Sequence, residues 1–181
     1  FYAFVTFAFA LQLVPPLMGQ MIHEFNVSHA QAGLLMSMVV VPGVFLGLPA
    51  GVLVDRYGVR LTGSLSTVLV GLGSFVTAAA DSFVTALAGR LVLGVGGAFI
   101  TTAMPAIVPQ WFGREELGKA MGIYGINMPL ASSVAFPVGS ALTLAYGWRF
   151  PFYVGTAMAI LGMITFPLLV KDGPLRHSQA G

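Results

Sequence analysis

Few residues of this chain have the type and spacing to do chemistry. Asp55, Arg56 and Arg60 stand together, bracketed by Gly51 and Gly58, between long apolar runs. Arg90 stands as a lone charge inside another apolar run. Thr101 adds a hydroxyl to that run, and Gln12, Tyr124 and Asn127 place amides and a phenol in two more. Such a set supports ion pairs that form and break and the binding of a small polar solute. It does not support bond cleavage. The three histidines, His23, His29 and His177, all lie outside the apolar runs, and no H-E-x-x-H motif or intramembrane carboxylate pair is present. Zero cysteines exclude disulfides and thiolate metal sites. The expectation is a protein that is not an enzyme, with no metal site and no cofactor.

The elements that must position these residues follow from composition. The chain is 57% hydrophobic and 8% charged, whereas about a quarter of the residues of a soluble domain are charged. Apolar runs fall at about 1–20, 30–54, 61–80, 83–109, 118–145 and 150–170, each near the ~20 residues that cross a ~30 Å hydrocarbon core as helix. A transmembrane barrel would alternate polar and apolar residues over segments of about 10. Continuous apolar runs leave helices. The expected fold is therefore an all-α membrane protein with six transmembrane helices in 1–170, and 171–181 reads as the start of a linker.

Charge sets the expected orientation. If the first helix leads outward, the loops on the inner side hold Arg56, Arg60, Arg114, Lys119, Lys171 and Arg176, and those on the outer side hold only Arg149. That bias predicts an inner (cytoplasmic or plasma) membrane protein with both termini cytoplasmic. It also accounts for the basic residues without a nucleic-acid partner.

Two features speak to packing. Tyr57-Gly58-Val59-Arg60 is echoed by Tyr146-Gly147-Trp148-Arg149, and at the same offset Pro16 meets Pro105 and Gly33 meets Gly122. Three-helix units carrying one turn on opposite faces would be inverted repeats, a layout common among secondary transporters. Gly43, Gly47 and Gly51 share a helix face, as do Gly118 and Gly122, and such stripes let helix backbones approach closely.

Arg90 is costly at its depth, ~2.5–3.5 kcal/mol on insertion scales. With Gly94, Gly97 and Thr101 on the same helical face, it suggests an aqueous cavity. Gln12, Tyr124 and Asn127 either join helices or meet substrate. Asp55, at the C-terminal and hence negative end of its helix, calls for a positive partner. Gly58 permits the tight reversal that follows. An ion pair there could hold one face closed and still break, because its net stabilisation is small after desolvation.

These motifs resemble the N-terminal half of a major facilitator superfamily transporter over nearly the whole chain. The family's loop signature, G-x-L-x-D-R-x-G-R-K, is matched by Gly51, Leu53, Asp55, Arg56, Gly58 and Arg60, with Val59 in place of a basic residue. Its helix-four signature, R-x-x-x-G-x-G, is matched by Arg90, Gly94, Gly96 and Gly97. Trp111-Phe112, Gly118 to Gly122 and Gly147 to Phe152 also look like the loops of many members.

The resemblance implies two three-helix inverted repeats forming half of a twelve-helix fold, with the substrate cavity between this half and a C-terminal six-helix half. It implies alternating access, a gate at Gly51, Asp55, Arg56, Gly58 and Arg60, and a role for Arg90 in substrate or proton coupling. The expected partners are a small-molecule substrate, the lipid bilayer, the second half and a coupling proton. The antiporter signature G-P-x-x-G-G is not cleanly present between Asn127 and Gly139. Leu13-Val14-Pro15-Pro16 and the Pro105 to Phe112 run lean towards organic-anion or cyanate permeases. The alternative is a self-contained six-helix protein acting as a homo-oligomer, receptor or scaffold.

Overall fold

The computed structural model describes residues 2–170, so the expected linker at 171–181, with Lys171 and Arg176, lies outside the described residues. All regular structure among them is helical: α1 (Tyr2–Gln12), α2 (Val14–Phe25), α3 (His29–Ala78), α4 (Phe83–Trp111), α5 (Leu117–Gly125), α6 (Asn127–Tyr146) and α7 (Arg149–Leu169). By length and composition, five stretches among the described residues are apolar enough to cross a membrane: Tyr2–Phe25, His29–Ala78, Phe83–Trp111, Leu117–Tyr146 and Arg149–Leu169.

Helix α3 has 50 residues. At ~1.5 Å per residue it would be about 75 Å long if straight, far more than the ~30 Å hydrocarbon core. It is not straight. Gly58 has φ 86° and ψ 165°, inside an otherwise helical run, a region open essentially to glycine alone. The two limbs on either side fold back on one another, because both reach the same stretch of α4. A Cβ on Gly94 would meet the Val39 backbone of the first limb, and one on Gly73 in the second limb would meet the backbone of Gly89 and Leu93. The first limb runs parallel to α4 and the second antiparallel to it.

The loop expected over 55–60 is accordingly tighter than the sequence suggested. Helix continues through Asp55, Arg56 and Tyr57 and resumes at Val59. Only Gly58 departs from helical angles, since none of its neighbours has a side chain that forbids them. Gly147, the echoed position, ends α6 with φ 86° and ψ 166°. The sequence echo is thus an echo in backbone conformation.

Helix ends are set locally. Ser28 and Gln31 form a reciprocal capping box at the start of α3, with Gln31 N–H donating to Ser28 Oγ at 3.2 Å and Ser28 N–H to Gln31 Oε1 at 2.9 Å. Ser82 Oγ accepts the Thr85 N–H at the start of α4. Two spans carry a one-residue irregularity: Leu13 stands between α1 and α2 just before Pro15 and Pro16, and Ile126 between α5 and α6 just after Gly125, both with helical backbone angles.

The core forms two clusters. One gathers Phe4, Phe7, Val39, Ile100 and Phe166, and the other gathers Leu13, Leu17, Met21, Trp148 and Phe152. Phenylalanines fill glycine hollows, with the Phe166 ring against Gly63 and the Phe7 ring against Gly97. Outward faces are equally apolar: Leu48 is 88% exposed, Leu144 84%, and Val44 and Phe45 75% each. A soluble monomer rarely shows apolar area on that scale, whereas a lipid-facing surface requires it.

The glycine stripes behave differently from expectation. Nothing lies within 4 Å of a Cβ built on Gly43, Gly47, Gly118 or Gly122. Gly51 has only Thr102 Cγ2 at 4.0 Å. Close helix approach is made instead at Gly73, Gly89, Gly94 and Gly96, where a Cβ would meet backbone atoms of a neighbouring helix.

Candidate functional site

Arg90 is fully buried, at 0% exposure. Its Nε donates to the Leu35 carbonyl at 3.0 Å, Nη1 to the Ala10 carbonyl at 3.0 Å and Nη2 to the Leu11 carbonyl at 3.2 Å. The planar guanidinium fork can address three acceptors at once, which a single ammonium does less well. It joins α4 to α1 and to the first limb of α3. The face it shares with Gly94, Gly97 and Thr101 is a packing seam and not the water-lined stripe expected. Gly94 lies on Val39 and Gly97 on Phe7, because glycine gave room for backbone and ring. Only Thr101 is exposed, and its hydroxyl donates to Gly97 O at 2.8 Å and Ala98 O at 3.2 Å.

Gln12 reaches the helix opposite. Its Nε2 donates to Ser132 Oγ at 2.6 Å, and that hydroxyl donates to the Met128 carbonyl at 2.9 Å. Sequence reasoning passed over Ser132, since a serine can satisfy its own helix. The missed signal is that one hydroxyl can donate to its own helix and accept from another. A double-mutant cycle of Gln12→Ala and Ser132→Ala in thermal unfolding should give a coupling of ~0.6–1.7 kcal/mol, the span of intramembrane hydrogen bonds. Strict additivity would show that the contact carries no energy.

Asn127 begins α6 at 1% exposure, and neither its Oδ1 nor its Nδ2 has a hydrogen-bond partner. It heads a stripe with Ala131, Ala135, Gly139 and Thr143, all buried. The stripe packs on the first span, where a Cβ on Gly139 would sit 3.1 Å from Leu13 Cδ2. An unsatisfied buried amide is unfavourable by ~1–3 kcal/mol. Tyr124 is half-buried, edge-on to Phe4 with ring centroids 5.4 Å apart. It also lines a cavity of about 400 Å³ with Met104, Ile107, Phe112, Lys119 and Ile123. Gln12, Thr101 and Asn127 do not line that cavity.

At the Gly58 turn, Asp55, Arg56 and Arg60 are exposed, and the Arg56 guanidinium lies 5.5 Å from the Tyr57 ring centroid. At the Gly147 turn the matching arginine is engaged. Arg149 Nη1 pairs with Glu24 Oε1 at 2.8 Å, Nη2 donates to Ala80 O at 3.0 Å, and the guanidinium stacks 4.5 Å from the Trp148 ring centroid. Among the described residues no three His, Cys, Asp or Glu gather as a metal site.

The arrangement as a whole has solved counterparts. The xylose transporter XylE from E. coli, in an inward-open conformation, superposes with a TM-score of 0.81 at 15% identity over 99% of this chain and 48% of that one. The proton:xylose symporter bound to 6-bromo-6-deoxy-D-glucose gives 0.83 at 14% identity over 99% and 45%. Among curated proteins, a multidrug resistance protein B homolog of Mycobacterium tuberculosis is 36% identical over 69% of this chain and 23% of its own length. A hexuronate transporter of Bacillus subtilis is 24% identical over 83% of this chain and 36% of its own. The chain thus spans well under half of these curated relatives. The family model described as Major Facilitator Superfamily matches residues 1–181. The chain belongs to that superfamily of multi-pass membrane transporters, which are not enzymes.

Proposed function

We propose that the chain is the N-terminal half of a secondary active transporter that moves a small solute by alternating access. The observation that carries this is a line of polar groups on two neighbouring spans, close to the proline-linked irregularity of each. Gln12 and Ser132 join α1 to α6, Asn127 stands unsatisfied at the α6 start, and Tyr124 borders a cavity. Substrate sites of secondary transporters lie near the bilayer midplane where their repeats meet.

The finer reading has six spans, with α3 counted as two, forming two inverted three-helix repeats. The matching angles at Gly58 and Gly147 support it. Arginine and lysine distribution supports cytoplasmic termini and a Gly58 turn on the cytoplasmic side. Gly51, Asp55, Arg56, Gly58 and Arg60 then form a cytoplasmic gate that closes on the second half. That half also covers the open faces at Gly43, Gly47, Gly118 and Gly122. Coverage of 45–48% of the xylose transporter chains favours it over a second copy as the occupant.

Thr101 and the part-exposed Gln12 and Tyr124 are the solute-facing candidates, and Asn127, enclosed at 1% exposure, would meet solute only if α6 moves away from the first span. Organic anions are the favoured solutes, in keeping with relatives named as hexuronate, sulfoacetate and L-galactonate transporters. A proton is the favoured coupling ion.

The test is uptake by the full-length protein in proteoliposomes, with labelled hexuronate, sulfoacetate, xylose and cyanate as probes and an imposed proton gradient on or off. Gradient-dependent accumulation of an anionic probe is expected. Asp55→Asn should lower it about tenfold, equivalent to ~1.4 kcal/mol, while Asp81→Asn should leave it unchanged. A folded protein that moves no probe in either direction would overturn the reading.

A further inference from the structure

The three carbonyls that hold Arg90 are not equivalent. In an uninterrupted helix the N–H of residue 15 would donate to the carbonyl of residue 11, but residue 15 is proline, which has no N–H. The Leu11 carbonyl therefore loses its helical donor inside a region with no water to replace it. Arg90 Nη2 donates to that carbonyl, and Nη1 donates to the adjacent one of Ala10. The third bond, to Leu35, anchors the same guanidinium to α3. Helix α1 ends one residue later, at Gln12, whose side chain crosses to Ser132.

We propose that Arg90 is the positioning residue of the α1–α2 junction: its guanidinium stands in for the backbone donor that Pro15 lacks and so holds Gln12 against Ser132. Its importance then lies in geometry and not in its charge meeting solute or proton. The inference is independent of the transport reading, since it concerns only contacts within this chain.

This chain has no cysteine, and with any cysteine of the second half replaced by serine the introduced ones report without background. The test uses full-length protein carrying Gln12→Cys and Ser132→Cys, bridged by a short bifunctional thiol reagent, in four backgrounds: wild type, Arg90→Leu, Arg90→Lys and Pro15→Ala. Each Arg90 variant is also combined with Pro15→Ala. Bridging should fall at least about fivefold in both Arg90→Leu and Arg90→Lys. Adding Pro15→Ala, which restores an N–H opposite Leu11, should return most of the bridging in each.

If Arg90→Leu does not accumulate as folded protein, the same rescue is read in folded yield and melting temperature, with a restoration of roughly 5 °C or more. Two results would overturn the proposal. One is full bridging in Arg90→Lys, which would make charge and not the fork the operative property. The other is failure of Pro15→Ala to rescue any readout.

Discussion

Gly89→Ala should lower both folded yield and melting temperature sharply, although it adds a single methyl group. A Cβ at Gly89 would strike the Thr77 side chain and backbone, with the Gly73 carbonyl at 2.9 Å. Across the same crossing, a Cβ at Gly73 would strike the backbone of Gly89 and Leu93. Side chains can rotate out of the way, but backbone on two packed helices cannot. The helices must separate along the whole seam, which places the loss near ~3 kcal/mol, the upper end of overpacking costs.

Gly73→Ala should behave alike. Gly19→Ala provides the contrast, since nothing lies within 4 Å of its Cβ and alanine is the better helix former by ~1 kcal/mol. Thermal unfolding of the purified variants decides it. Equal melting temperatures for wild type and Gly89→Ala would refute the backbone contact.

The second large effect is expected at the two turns. Gly58→Ala and Gly147→Ala each force an alanine to φ 86°, at a cost of ~1–3 kcal/mol per site. Gly147 is the cleaner case. A Cβ there meets nothing within 4 Å, so any loss of stability reports backbone strain alone. The matching ψ values of 165° and 166° predict similar strain at both sites. At Gly58 the same strain opposes the reversal that brings both limbs of α3 onto α4, so its folded yield should fall further. A Gly147→Ala protein that melts with wild type would show that the turn relaxes freely.

Much of this was legible in the sequence, for identifiable reasons. Apolar run length and sparse charge announced the spans, and the repeated Tyr-Gly-x-Arg announced two turns that share backbone angles. Arg90 was conspicuous by its depth, yet its partners were hidden because they are backbone carbonyls, which no side-chain pattern displays. One was nonetheless predictable, since a proline at 15 strips the carbonyl at 11 of its donor.

Which glycines pack was not legible. Gly43 and Gly47 carry the spacing of a helix seam but face open space, while Gly73 and Gly89, far apart in sequence, form one. Spacing along one helix does not say which neighbour the fold brings to it. Asn127 likewise gave no sign that its amide would be enclosed without partners.

The irregularities at Leu13 and Ile126 have a mechanical consequence. Phe4 lies beside Tyr124 and Gln12 beside Ser132, so the two spans run alongside each other with their weak points staggered, Leu13 level with α6 and Ile126 level with α1. A helix bends most readily where a proline removes an internal donor, as Pro15 and Pro129 do just past these two points. Two rods with staggered soft points can flex in sequence along their length, each braced by the intact stretch of the other. By contrast, α4 and the second limb of α3 meet backbone to backbone and have no slack to absorb a displacement. The domain is therefore a stiff frame on one side and a compliant pair of struts on the other, and the polar groups sit on the struts.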